Sequence, residues 1–270
     1  MKADIKKLKE TAKEMRKTIL ETIYESKSGH PGGSLSMVEI LTTLYFYKLR
    51  YDAKNPKWSD RDRVVLSKGH CTPGLYTALA FAGFFPKEEL KTFRKIGSRL
   101  SGHAYISVPG VDATTGSLGQ GLSVGNGMAI AAKLDNKNYK TYIILGDGEL
   151  QEGNVWEAAM SSAHFKLDNI VAIVDRNQIQ QTGFTEKVKA LGDLAAKFSS
   201  FGWEVQEIDG HNIEELMPAL DETDERNGKP KVIIANTAKG KGISFMELNH
   251  KWHGVAPSKE ELERALKELE

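Results

Sequence analysis

The sequence predicts an α/β fold, a mostly parallel sheet with helices on both faces. Two observations carry this. Residues 141–145, 170–174 and 232–235 are short, apolar and rich in β-branched side chains, as strands are. Helical segments separate them, and that alternation is the one a parallel sheet needs. A weaker strand candidate, 203–208, lies between the last two. With no internal repeat, low-complexity tract or linker, residues 1–270 read as one domain.

The elements follow in order. Residues 3–26 form an amphipathic helix, with Ile5, Leu8, Ala12, Met15, Ile19 and Ile23 at helical spacing. A Gly/Pro/Ser loop spans 28–34. Ser36 is the expected N-cap of a helix reaching Tyr47, with Glu39 completing a capping box. Residues 63–66 are a short strand leading into Ser67-Lys68-Gly69-His70, and 75–82 continue as a helix. The stretch 97–121, rich in Gly, Ser and Thr, reads as irregular, site-forming loop. Small residues dominate 118–132, so a helix there can lie close to a neighbouring backbone. Another helix is expected by Asn154, a helix-to-strand turn at 224–231 and a charged helical tail at 258–270.

Charge and composition exclude several classes. Lys and Arg number 37 against 36 Asp and Glu, mixed along the chain, so no nucleic acid or membrane is expected as partner. The single cysteine, Cys71, cannot form an internal disulfide and belongs to no metal-binding pattern. No apolar run approaches a membrane span, and the first thirty residues lack a leader's apolar core. The expectation is a soluble cytoplasmic protein.

The most informative segment is the apolar run ending in Gly146-Asp147-Gly148. Ligands bind at the carboxyl ends of parallel strands. An aspartate there offers a hard oxygen to Mg²⁺, which completes its shell with phosphate and water. The flanking glycines allow close approach of the backbone, and the Gly148 N–H is a candidate phosphate donor. The next strand ends in Asp175-Arg176-Asn177, thirty residues after Asp147. That is one strand–helix–strand unit, so the Asn177 amide should reach the same rim. Gly-Asp-Gly alone is an ordinary turn; the second strand end at this spacing makes it a metal-site candidate.

These residues resemble the thiamine diphosphate–magnesium motif. The resemblance implies an ion held by Asp147, Asn177 and the Ile179 carbonyl: Mg²⁺, with Ca²⁺ or Mn²⁺ able to replace it. Histidines sit in four glycine-bearing loops, Gly29-His30-Pro31-Gly32, Gly69-His70, Gly102-His103 and His250-Lys251-Trp252-His253-Gly254. Histidine is the side chain suited to moving protons near neutral pH. With Thr114-Thr115-Gly116-Ser117-Leu118-Gly119-Gln120-Gly121 and Gly146 to Gly153, these loops are similar to those of transketolase over about residues 15–257.

The resemblance implies roles. His30, His103 and His250 would bind donor hydroxyls and move protons. His70 would lie near the cofactor diphosphate, with His250 touching it too. Gly116, Ser117 and Leu118 would meet the aminopyrimidine, beside Gly146, Asp147, Gly148 and Asn177 at the diphosphate. Glu152 and Glu157 would sit at a subunit interface, although a solvated helix face explains their pattern equally well. Gln181 stands where the family often has an aliphatic residue under the cofactor ring. The implied reaction, of the pentose phosphate pathway, moves a two-carbon ketol unit from a ketose phosphate to an aldose phosphate. Transketolases carry two further domains, one supplying the glutamate that activates the cofactor. The expectation is therefore the N-terminal subunit of a split transketolase, working with a C-terminal subunit in an α2β2 assembly. Competing readings are a deoxyxylulose phosphate synthase-like or 2-oxoacid decarboxylating subunit, and a non-catalytic binding module.

Overall fold

The computed structural model describes residues 4–270. Its strands are β1 (Arg63–Leu66), β2 (Thr141–Gly146), β3 (Ile170–Arg176), β4 (Ile179–Gln180), β5 (Gly183–Phe184), β6 (Glu204–Asp209) and β7 (Lys231–Asn236). Five of them form a parallel sheet in the order β1-β2-β3-β7-β6, while β4 and β5 make a small antiparallel hairpin at its rim.

The central strands read as unbroken apolar runs because both faces are covered. Tyr142, Ile144, Ile173 and Ile233 face one core, shared with the helices Ile5–Ser26, Val38–Thr43, Thr72–Phe81 and Ile213–Glu222. Ile143, Leu145, Val174 and Ile234 face a second core, closed by the helices Gly121–Leu134, Gly153–His164 and Leu194–Ser200. β6 is an edge strand of half-exposed residues, which is why its apolar signal is weak. The close approach expected of the small-residue helix is present: a Cβ added to Gly125 would lie 2.7 Å from Ile143 Cγ1.

The second helix departs from expectation. Much of the 28–34 loop is helical, as Pro31–Ser36, with proline in the first turn where its missing N–H costs nothing. A new helix, Val38–Thr43, starts after Met37. Ser36 does not cap it. Its hydroxyl is drawn instead to the buried Asp175 carboxylate, 2.6 Å away, the stronger acceptor. Glu39 pairs with Arg16 rather than reaching back to Ser36. At the other end of the chain, Ser258 and Glu261 do form a capping box, starting the helix Lys259–Glu268.

Candidate functional site

β2 and β3 pair in register, with Gly146 beside Asp175, so Asp147 and Asn177 leave neighbouring strands at the same rim. Asp147 is 3% exposed and caps the short turn that follows. Its Oδ1 accepts the Gly148 N–H at 2.8 Å, and its Oδ2 accepts the Gln178 N–H at 2.7 Å and the Thr185 hydroxyl at 3.2 Å. The Gly148 N–H, read from sequence as a phosphate donor, is thus turned to its own neighbour's carboxylate. Burial, and then the nearby Asp175, push the Asp147 carboxyl above the usual range. Asn177 Oδ1 lies 3.3 Å from the Ile179 N–H, and the Ile179 carbonyl accepts from Lys239 Nζ at 2.9 Å.

These are three hard oxygens: a carboxylate, an amide oxygen and a main-chain carbonyl. That donor set suits Mg²⁺. A lysine ammonium already rests on one of them. Among the described residues, no group of three or more His, Cys, Asp or Glu side chains offers a competing metal site.

The rim opens into a cleft of about 370 Å³, within the usual size of small-ligand sites. His70, Gly116, Leu118, Gly146, Asp147, Gly148, Asn177, Ile179 and Glu152 line it; Ser117 and Glu157 do not. Both Glu152 and Glu157 are exposed.

The histidines divide. His30, His70 and His253 form one cluster, with ring centroids 4.9 Å (His30–His70) and 5.4 Å (His30–His253 and His70–His253) apart. Burial is the main cause that lowers all three, to about 3 for His30, about 4 for His70 and about 3 for His253, with neighbouring positive charge adding to it. The rings are neutral at pH 7. His30 Nδ1 is buried without a hydrogen-bond partner. His103 is exposed, and its ring borders Gly116: a Cβ there would lie 3.0 Å from His103 Cδ2. His250 stands apart. It is exposed, begins a short turn (His250–Trp252) and does not line the cleft, whereas His253, three residues on, does.

Several buried groups escaped the sequence reading. Lys68 forms an ion pair with Asp175, which also accepts from Ser36 and Thr237. Glu149 is buried, accepting Ser67 Oγ at 2.5 Å, the Gly119 N–H at 2.9 Å and the Gly146 N–H at 3.0 Å. It therefore joins the ends of β1 and β2 to the loop carrying Gly116. Lys239 bonds Ile179 O and His253 Nδ1 (2.7 Å), and burial lowers it to about 8. A charged residue in a glycine-bearing segment at a strand end was the available signal for each.

The family described as "Transketolase, thiamine diphosphate binding domain" matches residues 7–269. The chain is 47% identical over 254 residues to an apulose-4-phosphate transketolase subunit of Phocaeicola vulgatus, covering 94% of this chain and 90% of that one. It is 45% identical to the 6-deoxy-6-sulfo-D-fructose transketolase subunit SqwG of a Clostridium species, covering 97% and 96%. Among solved structures, the transketolase of Campylobacter jejuni superposes with a TM-score of 0.93 at 36% identity, covering 99% of this chain and 43% of that chain. The Leishmania mexicana transketolase gives 0.91 at 32% identity, covering 97% and 41%. The chain thus spans about two fifths of the solved transketolases.

Proposed function

Because the chain belongs to the transketolase family through its thiamine diphosphate-binding domain, we propose that it is the cofactor-binding subunit of a two-chain transketolase. The observation that carries this reading is the convergence of the Asp147, Asn177 and Ile179 oxygens with buried Lys239 and neutral histidines in one cleft. The naming of close relatives as transketolase subunits supports a second polypeptide as partner. We read the assembly as α2β2, its substrates as a ketose phosphate and an aldose phosphate of the pentose phosphate type, and its location as the cytoplasm. No helix among the described residues is long and apolar enough to cross a membrane.

In this reading Asp147, Asn177 and the Ile179 carbonyl hold Mg²⁺, or Ca²⁺ or Mn²⁺ in its place. Lys239 and His70 face the diphosphate. Gly116 brings backbone close to the cofactor's ring end, its φ of +154° and the adjacent His103 ring leaving no room for a side chain. Bound thiamine diphosphate supplies the carbon nucleophile that carries the two-carbon unit. The residues of this chain orient and exchange protons. His30, His70 and His253, being neutral, can each donate from one ring nitrogen and accept at the other, which suits sugar hydroxyls. His103, at the exposed lip, is the histidine best placed to pass a proton to solvent. Glu152 and Glu157, exposed beside the cleft, face the second polypeptide.

The test is an assay of two-carbon transfer from a ketose phosphate with thiamine diphosphate and Mg²⁺. The chain should be silent alone and active with its partner subunit. Full turnover by this chain alone would sink the two-chain reading.

A further inference from the structure

His211 stands between β6 and the helix Ile213–Glu222, outside the cleft, and both nitrogens of its ring are engaged. Nε2 accepts the backbone N–H of Ala238 at 2.8 Å, and Nδ1 lies 3.0 Å from Glu39 Oε2. A nitrogen that accepts an N–H carries no proton, so Nδ1 holds the proton and donates to Glu39. Glu39 is gripped from behind by Arg16, with Nη1–Oε1 and Nη2–Oε2 both 2.6 Å. Burial opposes ionisation of Glu39, but Arg16 and His211 override it and hold the carboxyl down at about 2.

Besides backbone bonds from the Thr237, Lys239 and Gly240 N–H groups to Arg176, Asn177 and Gly32, side chains hold the segment 237–241 at three points. Thr237 Oγ1 donates to Asp175, the Ala238 N–H to His211, and Arg16 Nε reaches the Lys241 carbonyl at 3.1 Å. Lys239 projects from the middle of this segment into the cleft. We propose that His211 is a positioning residue: backed by Glu39 and Arg16, it clamps the backbone at Ala238 and so aims Lys239 at the oxygens and His253 it meets in the cleft. His211 touches neither the cleft nor anything bound there.

The test compares the full-length wild-type chain with His211→Ala and His211→Gln. Glutamine can accept from Ala238 and donate to Glu39. The first readout, NMR hydrogen exchange on the chain alone, needs no assumption about function. The Ala238 amide should exchange about tenfold faster in His211→Ala, with β3 and β7 amides unchanged, and glutamine should restore it. The second readout rests on the proposed cofactor site: thiamine diphosphate with Mg²⁺ should bind about tenfold more weakly to His211→Ala and normally to His211→Gln. Unchanged Ala238 exchange, or loss of protection throughout β7, overturns the clamp. Faster exchange with unaltered affinity overturns the aiming of Lys239. If wild type binds no thiamine diphosphate, the cofactor reading fails, and the exchange data still decide the clamp.

Discussion

Lys239 Nζ donates to the main-chain oxygen of Ile179 at 2.9 Å, and both border the cleft that holds the Asp147 carboxylate. The carbonyl proposed for the ion therefore has a cation against it, within reach of Asp147 as well. Were a divalent ion held by that carbonyl, the Lys239 ammonium would be left to pair with the diphosphate. Lys239→Met should keep the fold and weaken thiamine diphosphate binding by about tenfold or more, because a charge-assisted contact is lost. Asp147→Asn keeps an oxygen for Gln178 and Thr185 but removes the charge, and should abolish the Mg²⁺ dependence of binding. Calorimetric titration checks both; equal affinity in either variant would count against the assigned site.

The two histidines of the 250–253 loop should behave oppositely. His253→Ala should lower kcat/KM of the assembled enzyme by roughly 10²-fold, as loss of a group in contact with substrate or cofactor does. His250→Ala should fall within about twofold of wild type, since the side chain is exposed and outside the cleft. His103→Ala belongs with the first, costing rate rather than cofactor affinity. Steady-state kinetics on the three variants separates them. Normal turnover in His253→Ala would remove it from the site.

Acid should destabilise the chain through the buried histidines. Burial, then His70, Arg94, His103 and Lys239, lower His30 to about 3 from an unfolded value of 6.5. Between those values the unfolded chain binds the proton and the folded chain does not. The stability contribution is therefore complete above about pH 6.5 and is lost as pH falls toward the folded value. Urea midpoints measured from pH 7 to 5 should fall, and His30→Asn should flatten the slope by about one proton. An identical slope in the variant would mean that the ring is not held neutral.

Two glycines provide a packing contrast. A Cβ on Gly69 would meet the Thr115 carbonyl carbon at 2.7 Å and the Gly116 nitrogen at 2.8 Å, backbone atoms of the site loop. Gly69→Ala should cost about 1–3 kcal/mol, the usual range for overpacking. Gly127, in the helix Gly121–Leu134, would meet nothing within 4 Å. Gly127→Ala should be neutral or stabilising by up to about 1 kcal/mol. Chemical denaturation of both variants measures the difference.

The sheet was legible in the sequence because both of its faces are buried, leaving Ile143 to Leu145 and Ile170 to Val174 as continuous apolar runs. Asp147 and Asn177 were legible because register follows from one strand–helix–strand spacing. What the sequence could not convey is the direction of side chains within loops. Trp252 packs against Phe245, and the turn this anchors brings His253 into the cleft while leaving His250 in solvent. Lys239 and Lys241 look alike in their glycine-flanked run, yet only Lys239 lines the cleft. Ser36 read locally as a cap because its real acceptor, Asp175, lies 139 residues away.

The pocket draws on residues from Gly33 to His253, and its sheet pairs Arg63 with Thr141 and Val171 with Lys231. Such pairings exact their loop-closure entropy before they return any contact energy, so this topology assembles slowly and nearly all at once. A chain still being synthesised lacks Lys239 and His253 until β7 and the segments after it are made. A ligand that needs those two residues favours the finished state, adding stability that grows with the logarithm of its concentration over Kd. Supply of the cofactor then acts on the lifetime of each folded copy, and cells starved of it should clear this protein faster.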